Sequence, residues 1–161
     1  MKITPELQLR FSEYVREIPK AREHLEFLLD NLGTKLDLDF SRKSLVSVEG
    51  AFWRVKESGL PPELSDGTQF VRLIVQYLTD VIVRKTGARW VQSTDPNPMF
   101  GQPCLDGFGN QKWDRIYPVA LANSFVDLQT TNPNFPGVGQ RRVLVHVFDK
   151  ATRLHEAAQR E

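Results

Sequence analysis

Phe70 to Lys85 is the segment that most limits how this chain can fold. Phe70, Leu73, Ile74, Tyr77, Leu78, Val81 and Ile82 recur at steps of three and four residues, the spacing that gathers side chains on one side of an α-helix. The apolar stripe is wide, and it predicts the central helix of the fold. Arg84 and Lys85 fall in the last turn, where positive charge opposes the negative helix end, and Gly87 can take the left-handed conformation that stops it.

Helices are also predicted before this segment. Thr4 can cap free amides with Pro5 at the first helical position, and Leu7, Phe11, Tyr14, Val15 and Ile18 mark one face. Pro19 should break or kink that helix, after which Leu25, Leu28, Leu29 and Leu32 form a second stripe ending at Gly33. A connector, Thr34 to Phe40, leads to Ser41 or Ser44 as the cap of a third helix carrying Leu45, Val48, Phe52 and Val55, closed by Gly59. Leu60-Pro61-Pro62-Glu63-Leu64 then reads as a loop.

Beyond Gly87 the period changes. Arg89-Trp90-Val91-Gln92 reads as a short strand, with Met99 to Leu105 and Lys112 to Tyr117 as antiparallel partners in a meander. Asp106-Gly107-Phe108-Gly109-Asn110 supplies the reversal between those partners. Pro118 can open another helix through Leu121, Phe125 and Leu128, although Val119-Ala120-Leu121 also permits a strand. Thr130 to Gly139 reads as a loop. Leu144, Val147, Phe148, Ala151 and Leu154 support a final helix, whose first residues could instead extend the sheet. The expected fold is therefore α+β, with four to six helices packed around a small antiparallel sheet in one domain spanning residues 1–161. Phe11, Leu28, Phe52, Leu73, Tyr77, Leu78 and Trp90 are the expected core.

Charge and cysteine content exclude several classes of function. Twenty-one basic residues against 20 acidic leave a net charge of +1, and residues 1–58 carry 10 of each, so no arm or tail has the electrostatic footprint of a nucleic-acid binder. Cys104 is the only cysteine, which rules out an intrachain disulfide, a CxxC pair and a cysteine zinc site, and fits a reducing, cytoplasmic compartment. Thr4-Pro5-Glu6 stands where a signal peptide would begin its apolar core, and no window approaches the length of a membrane span, so no membrane partner is expected.

Catalytic and metal signatures are missing as well. His24, His146 and His155 lie in no HExxH context, and the last two sit about two and a half turns apart on opposite sides of the final helix. Asp37 and Asp39 alternate with Leu36, Leu38 and Phe40, as in an extended segment with one apolar face. Gly107-Phe108-Gly109 lacks the Gly-Lys-Ser/Thr of a phosphate loop, and Ser65, Ser93 and Ser124 lack a GxSxG context. No catalytic residue, metal ligand or cofactor is assigned. The enzyme or small-ligand alternative would draw on Asp95, Cys104 or Asp114, between the sheet and the long helix.

The alternation from Gln111 to Tyr117 puts Trp113, Arg115 and Tyr117 on one strand face, with Arg89 on a neighbouring strand. A buried arginine is costly unless its face meets water or a partner, and Trp, Tyr and Arg are enriched where proteins bind one another. These four residues are the expected partner-binding patch.

From Leu36 to Tyr117 the order is Leu36-Asp37-Leu38-Asp39-Phe40-Ser41, then Ser44-Leu45, a long helix ending near Gly87, Arg89-Trp90-Val91, and Pro118 just beyond. That order resembles small bacterial domains of unknown function found among polymorphic-toxin immunity modules. Related sequences carry a Gly-Glu inside the long helix where this chain has Gln76-Tyr77-Leu78-Thr79-Asp80, so no role of that glutamate transfers. The resemblance implies a bacterial, cytoplasmic setting and an immunity role but supplies no catalytic residue and no identified partner; the expected partner is another protein, with a cognate toxin as the candidate.

Overall fold

The computed structural model describes residues 1–59, 64, 68–96, 98–111, 114–130 and 142–161, with backbone alone at 68, 124 and 126–130. Their order is α1 (Pro5–Glu17), a 3-10 turn (Ile18–Lys20), α2 (Ala21–Asn31), α3 (Arg42–Glu57), α4 (Thr68–Thr86), β1 (Arg89–Gln92), β2 (Pro103–Asp106), α5 (Pro118–Thr130) and α6 (Val143–Ala158). This is the expected α+β class, with helices around a small antiparallel sheet.

Local signals act where they stand. The Thr4 hydroxyl accepts from the Leu7 N–H at 3.3 Å with Pro5 opening α1, and Pro19 confines the chain to the tight turn before α2. Of the two serine candidates, Ser41 caps α3, its hydroxyl accepting from the Ser44 N–H at 3.1 Å.

α4 organises the core. Between Phe70 and Ile82 every side chain except Arg72 is buried, so the stripe expected on one side is a helix enclosed nearly all round, packed against α2, α5 and α6. Phe52, Leu73, Tyr77 and Leu78 are buried as expected, whereas Leu28 and Trp90 are half-buried against the cluster. Leu25 and Leu29 take the inward positions of α2, leaving Leu28 on the flank. Phe11 is likewise half-buried, because α1 lies outermost and contributes no fully buried side chain.

Two polar clamps set how α3 and the 34–40 connector meet this core. The Tyr77 hydroxyl, inside the core, accepts from the Phe40 N–H at 3.0 Å and shares a proton with the Ser44 hydroxyl at 2.7 Å. Phe40 itself is held at φ 62°, unusual for a residue other than glycine. Its ring compensates by lying 3.7 Å under the Arg84 guanidinium and 5.2 Å from that of Arg22.

The second clamp is Glu49. α6 begins Arg142-Val143-Leu144 with no side chain of its own to cap it, and the buried Glu49 carboxylate of α3 accepts both the Val143 N–H, at 2.8 Å, and the Leu144 N–H, at 3.0 Å. Farther along, Arg42 grips Asp149 through two 2.8 Å hydrogen bonds. Arg42 faces Asp149 while Glu49 faces Val143, so α3 and α6 run antiparallel.

The sheet is smaller than the expected meander. β1 and β2 pair antiparallel with Trp90 opposite Leu105 and Gln92 opposite Pro103. Residues 99–102 form turns around Gly101 at φ 77°, so the second strand starts only at Pro103. Among the described residues the expected third strand is a single bridge between Leu105 and Ile116: the Asp114 N–H donates to the Gln111 carbonyl at 2.9 Å, and Pro118 starts α5 at once. Lys112 and Trp113 lie outside the described residues; of the loop expected from Thr130 to Gly139, Thr130 is instead the last residue of α5, and the rest lies outside the described residues. Val143–Val145 is helical rather than an extension of the sheet.

Glu49→Ala should lower unfolding stability by about 2–5 kcal/mol in urea titrations, since two buried amides lose their acceptor. Glu49→Gln keeps an acceptor oxygen and should lose less.

Candidate functional site

The Leu105–Ile116 bridge decides what gathers at the sheet edge. The Leu105 N–H donates to the Ile116 carbonyl at 2.9 Å and the Ile116 N–H donates back at 3.1 Å, so the residues either side of Ile116 share one face. Arg115 and Tyr117 therefore point together, as their alternation predicts, and both reach Asp95. Arg115 donates to Asp95 at 2.9 Å and to Asp106 at 3.2 Å, while the Tyr117 hydroxyl donates to the same Asp95 oxygen. Ser93 closes the cluster, its hydroxyl lying 3.2 Å from that of Tyr117 and accepting from the Asp95 N–H at 3.1 Å.

This cluster is an internal lock. The Arg115 side chain is only 14% exposed, and its buried Nε has no hydrogen-bond partner among the described residues. Burial opposes its charge, yet the hydrogen bonds that it makes with Asp95, Tyr117 and Asp106 outweigh that and raise its pKa. Burial also raises the Tyr117 phenol and pushes the Cys104 thiol up to about 11, so neither is a base or a nucleophile in the neutral range. Arg115 and Tyr117 thus direct their donors to groups of their own chain. Arg89 is exposed on β1, and Trp113 lies outside the described residues.

Of the residues considered for small-ligand chemistry, Asp95 belongs to this lock and Cys104 adjoins it. Asp114 instead accepts from the Gln111 N–H at 3.1 Å and borders a cleft of about 380 Å³ between residues 114–117, α5 and α6. Phe108, Ile116, Leu121 and Val147 give that cleft apolar walls, and Lys150 stands among its lining residues. Among the described residues no three His, Cys, Asp or Glu side chains are placed to hold a metal ion, and no helix is long and apolar enough to cross a membrane. Asp37 and Asp39 point outward from the connector while Leu38 is buried, as the alternation requires.

A second surface was not singled out by any motif. α2 turns Leu25 and Leu29 into the core but leaves Phe27 70% exposed on its outer side. Phe27 sits in an open groove of about 760 Å³ between α2 and residues 35–37, flanked by Glu23, Glu26, Asp30 and Asp37. A signal was available, because Phe27 stands off the Leu25–Leu28–Leu29–Leu32 stripe. The chain matches no protein-family model, no curated protein and no solved structure.

With Cys104 fully buried, alkylation at pH 8 should be slow in the native protein and fast in denaturant. The raised thiol also has a signed consequence: its contribution is intact below the unfolded thiol's pKa and is lost as pH climbs from about 9 towards about 11. Cys104→Ala should flatten that alkaline loss in urea titrations at stepped pH.

Proposed function

We propose that this chain is a protein-binding module, an immunity-type inhibitor that works by covering the surface of a bacterial toxin in the cytoplasm. The observation that carries the reading is Phe27, a large aromatic side chain exposed on a helix whose other side is built into the core. Exposed aromatics are the residues that bury most when proteins associate, and folding of this chain does not use this one. The resemblance of residues 36–117 to immunity-associated domains points the same way. Arg89 offers a second, exposed contact, while Arg115 and Tyr117 support the surface from within, as parts of the lock described above.

A small-ligand role is the second reading. It is favoured by the 380 Å³ cleft beside Asp114, whose size and apolar walls suit a small organic molecule.

Coexpression with toxin genes encoded beside this one tests the first reading. Rescue of growth by the wild-type chain is expected, and Phe27→Ala should reduce it while leaving the circular dichroism spectrum unchanged. Failure to rescue against any neighbouring toxin would count against the immunity role. Under the second reading, Leu121→Trp should fill the cleft and abolish any thermal shift produced by a metabolite library.

A further inference from the structure

The charges around Phe27 are lopsided. On a chain with a net charge of +1, the groove is lined by four carboxylates, Glu23, Glu26, Asp30 and Asp37, against the single ammonium of Lys35. Arg22 takes Glu26 at 3.2 Å, but Glu23, Asp30 and Asp37 have no ion-pair partner among the described residues.

This arrangement weakens the helix that carries it. Asp30 occupies the last turn of α2, where the negative helix end disfavours a carboxylate, and that turn holds no basic residue. Glu26 and Asp30 stand four residues apart, a spacing at which like charges repel. The exposed ring of Phe27 lies between them. Two features that oppose the stability of a short helix coincide with an exposed aromatic ring on its outer side, while its inner side is an ordinary leucine stripe. Such a departure from local consistency marks a surface kept for contact.

Building on the protein-binding reading, we infer that this face receives a basic partner: a protein surface presenting clustered Lys or Arg side chains around an apolar contact for Phe27. Incoming cations would neutralise Glu23, Asp30 and Asp37, relieve the unfavourable helix end, and let the ring be buried without stranding a carboxylate. The sign of the charge sets the face against nucleic acid and against anionic lipid, both of which it repels.

The test places a photo-reactive phenylalanine analogue at exposed position 24, one turn before Phe27, in the full chain expressed in its native host. Crosslinked peptides are then sequenced by mass spectrometry. The expected result is one protein whose crosslinked peptide carries at least two Lys or Arg residues. Its yield should fall about tenfold with Glu23→Lys and Asp30→Lys together, and by a similar factor between about 0.05 M and about 0.5 M NaCl. Both substitutions lie at exposed positions, and an unchanged circular dichroism spectrum confirms that the fold is intact. A crosslink that survives charge reversal and salt, or that falls on an acidic peptide or on nucleic acid, overturns the basic-partner inference. Toxin rescue without any crosslink at position 24 overturns it too, while sparing the protein-binding reading. Absence of both rescue and crosslink removes both.

Discussion

The arrangement of this protein depends on a carboxylate placed where carboxylates are rarely found. Glu49 is buried in the middle of α3 and accepts the first two amides of α6, a helix that begins after Arg141-Arg142 with no capping side chain of its own. Left unpaired, those amides and the positive end of the helix would be costly to bury, and the carboxylate would be costlier still. Together they are compatible with the core. The contact fixes α6 along α3, Arg42 and Asp149 repeat the tie farther along, and α6 in turn packs on α4 together with α2 and α5.

A division of labour follows. The sheet edge directs its polar side chains inward, where Arg115 braces Asp95 and Asp106 and Tyr117 joins the same carboxylate. That cluster ties the 93–95 and 114–117 segments together. α2 stands at the margin of the core. Its inner leucines pack against α4, and its outer side carries Phe27, exposed among carboxylates.

What the sequence made legible was mostly local. Helix starts at Thr4 and Ser41, the strand at Arg89–Gln92 and the stop at Gly87 follow from side chains within a few residues of the event. The pairing of Arg115 and Tyr117 on one face was also visible, because alternation is a short-range property. Their partners were not, since Asp95 lies about twenty residues away and nothing in the order of residues brings it back. Glu49 was invisible for the same reason: its amides lie 94 and 95 residues downstream. Alternation at Arg115–Tyr117 does not report how far a strand runs: among the described residues Ile116 makes one bridge to Leu105, and Pro118 opens α5 two residues later.

If the outer face of α2 exists for binding, folding does not need it. Comparing the urea stability of Phe27→Ser with that of Leu25→Ala, two positions apart on the same helix, tests this most directly. Leu25→Ala should lose about 2–5 kcal/mol, as expected for a fully buried leucine, and Phe27→Ser should stay within about 0.5 kcal/mol of the wild type. A loss at Phe27 equal to that at Leu25 would show that the ring belongs to the core and would contradict the account.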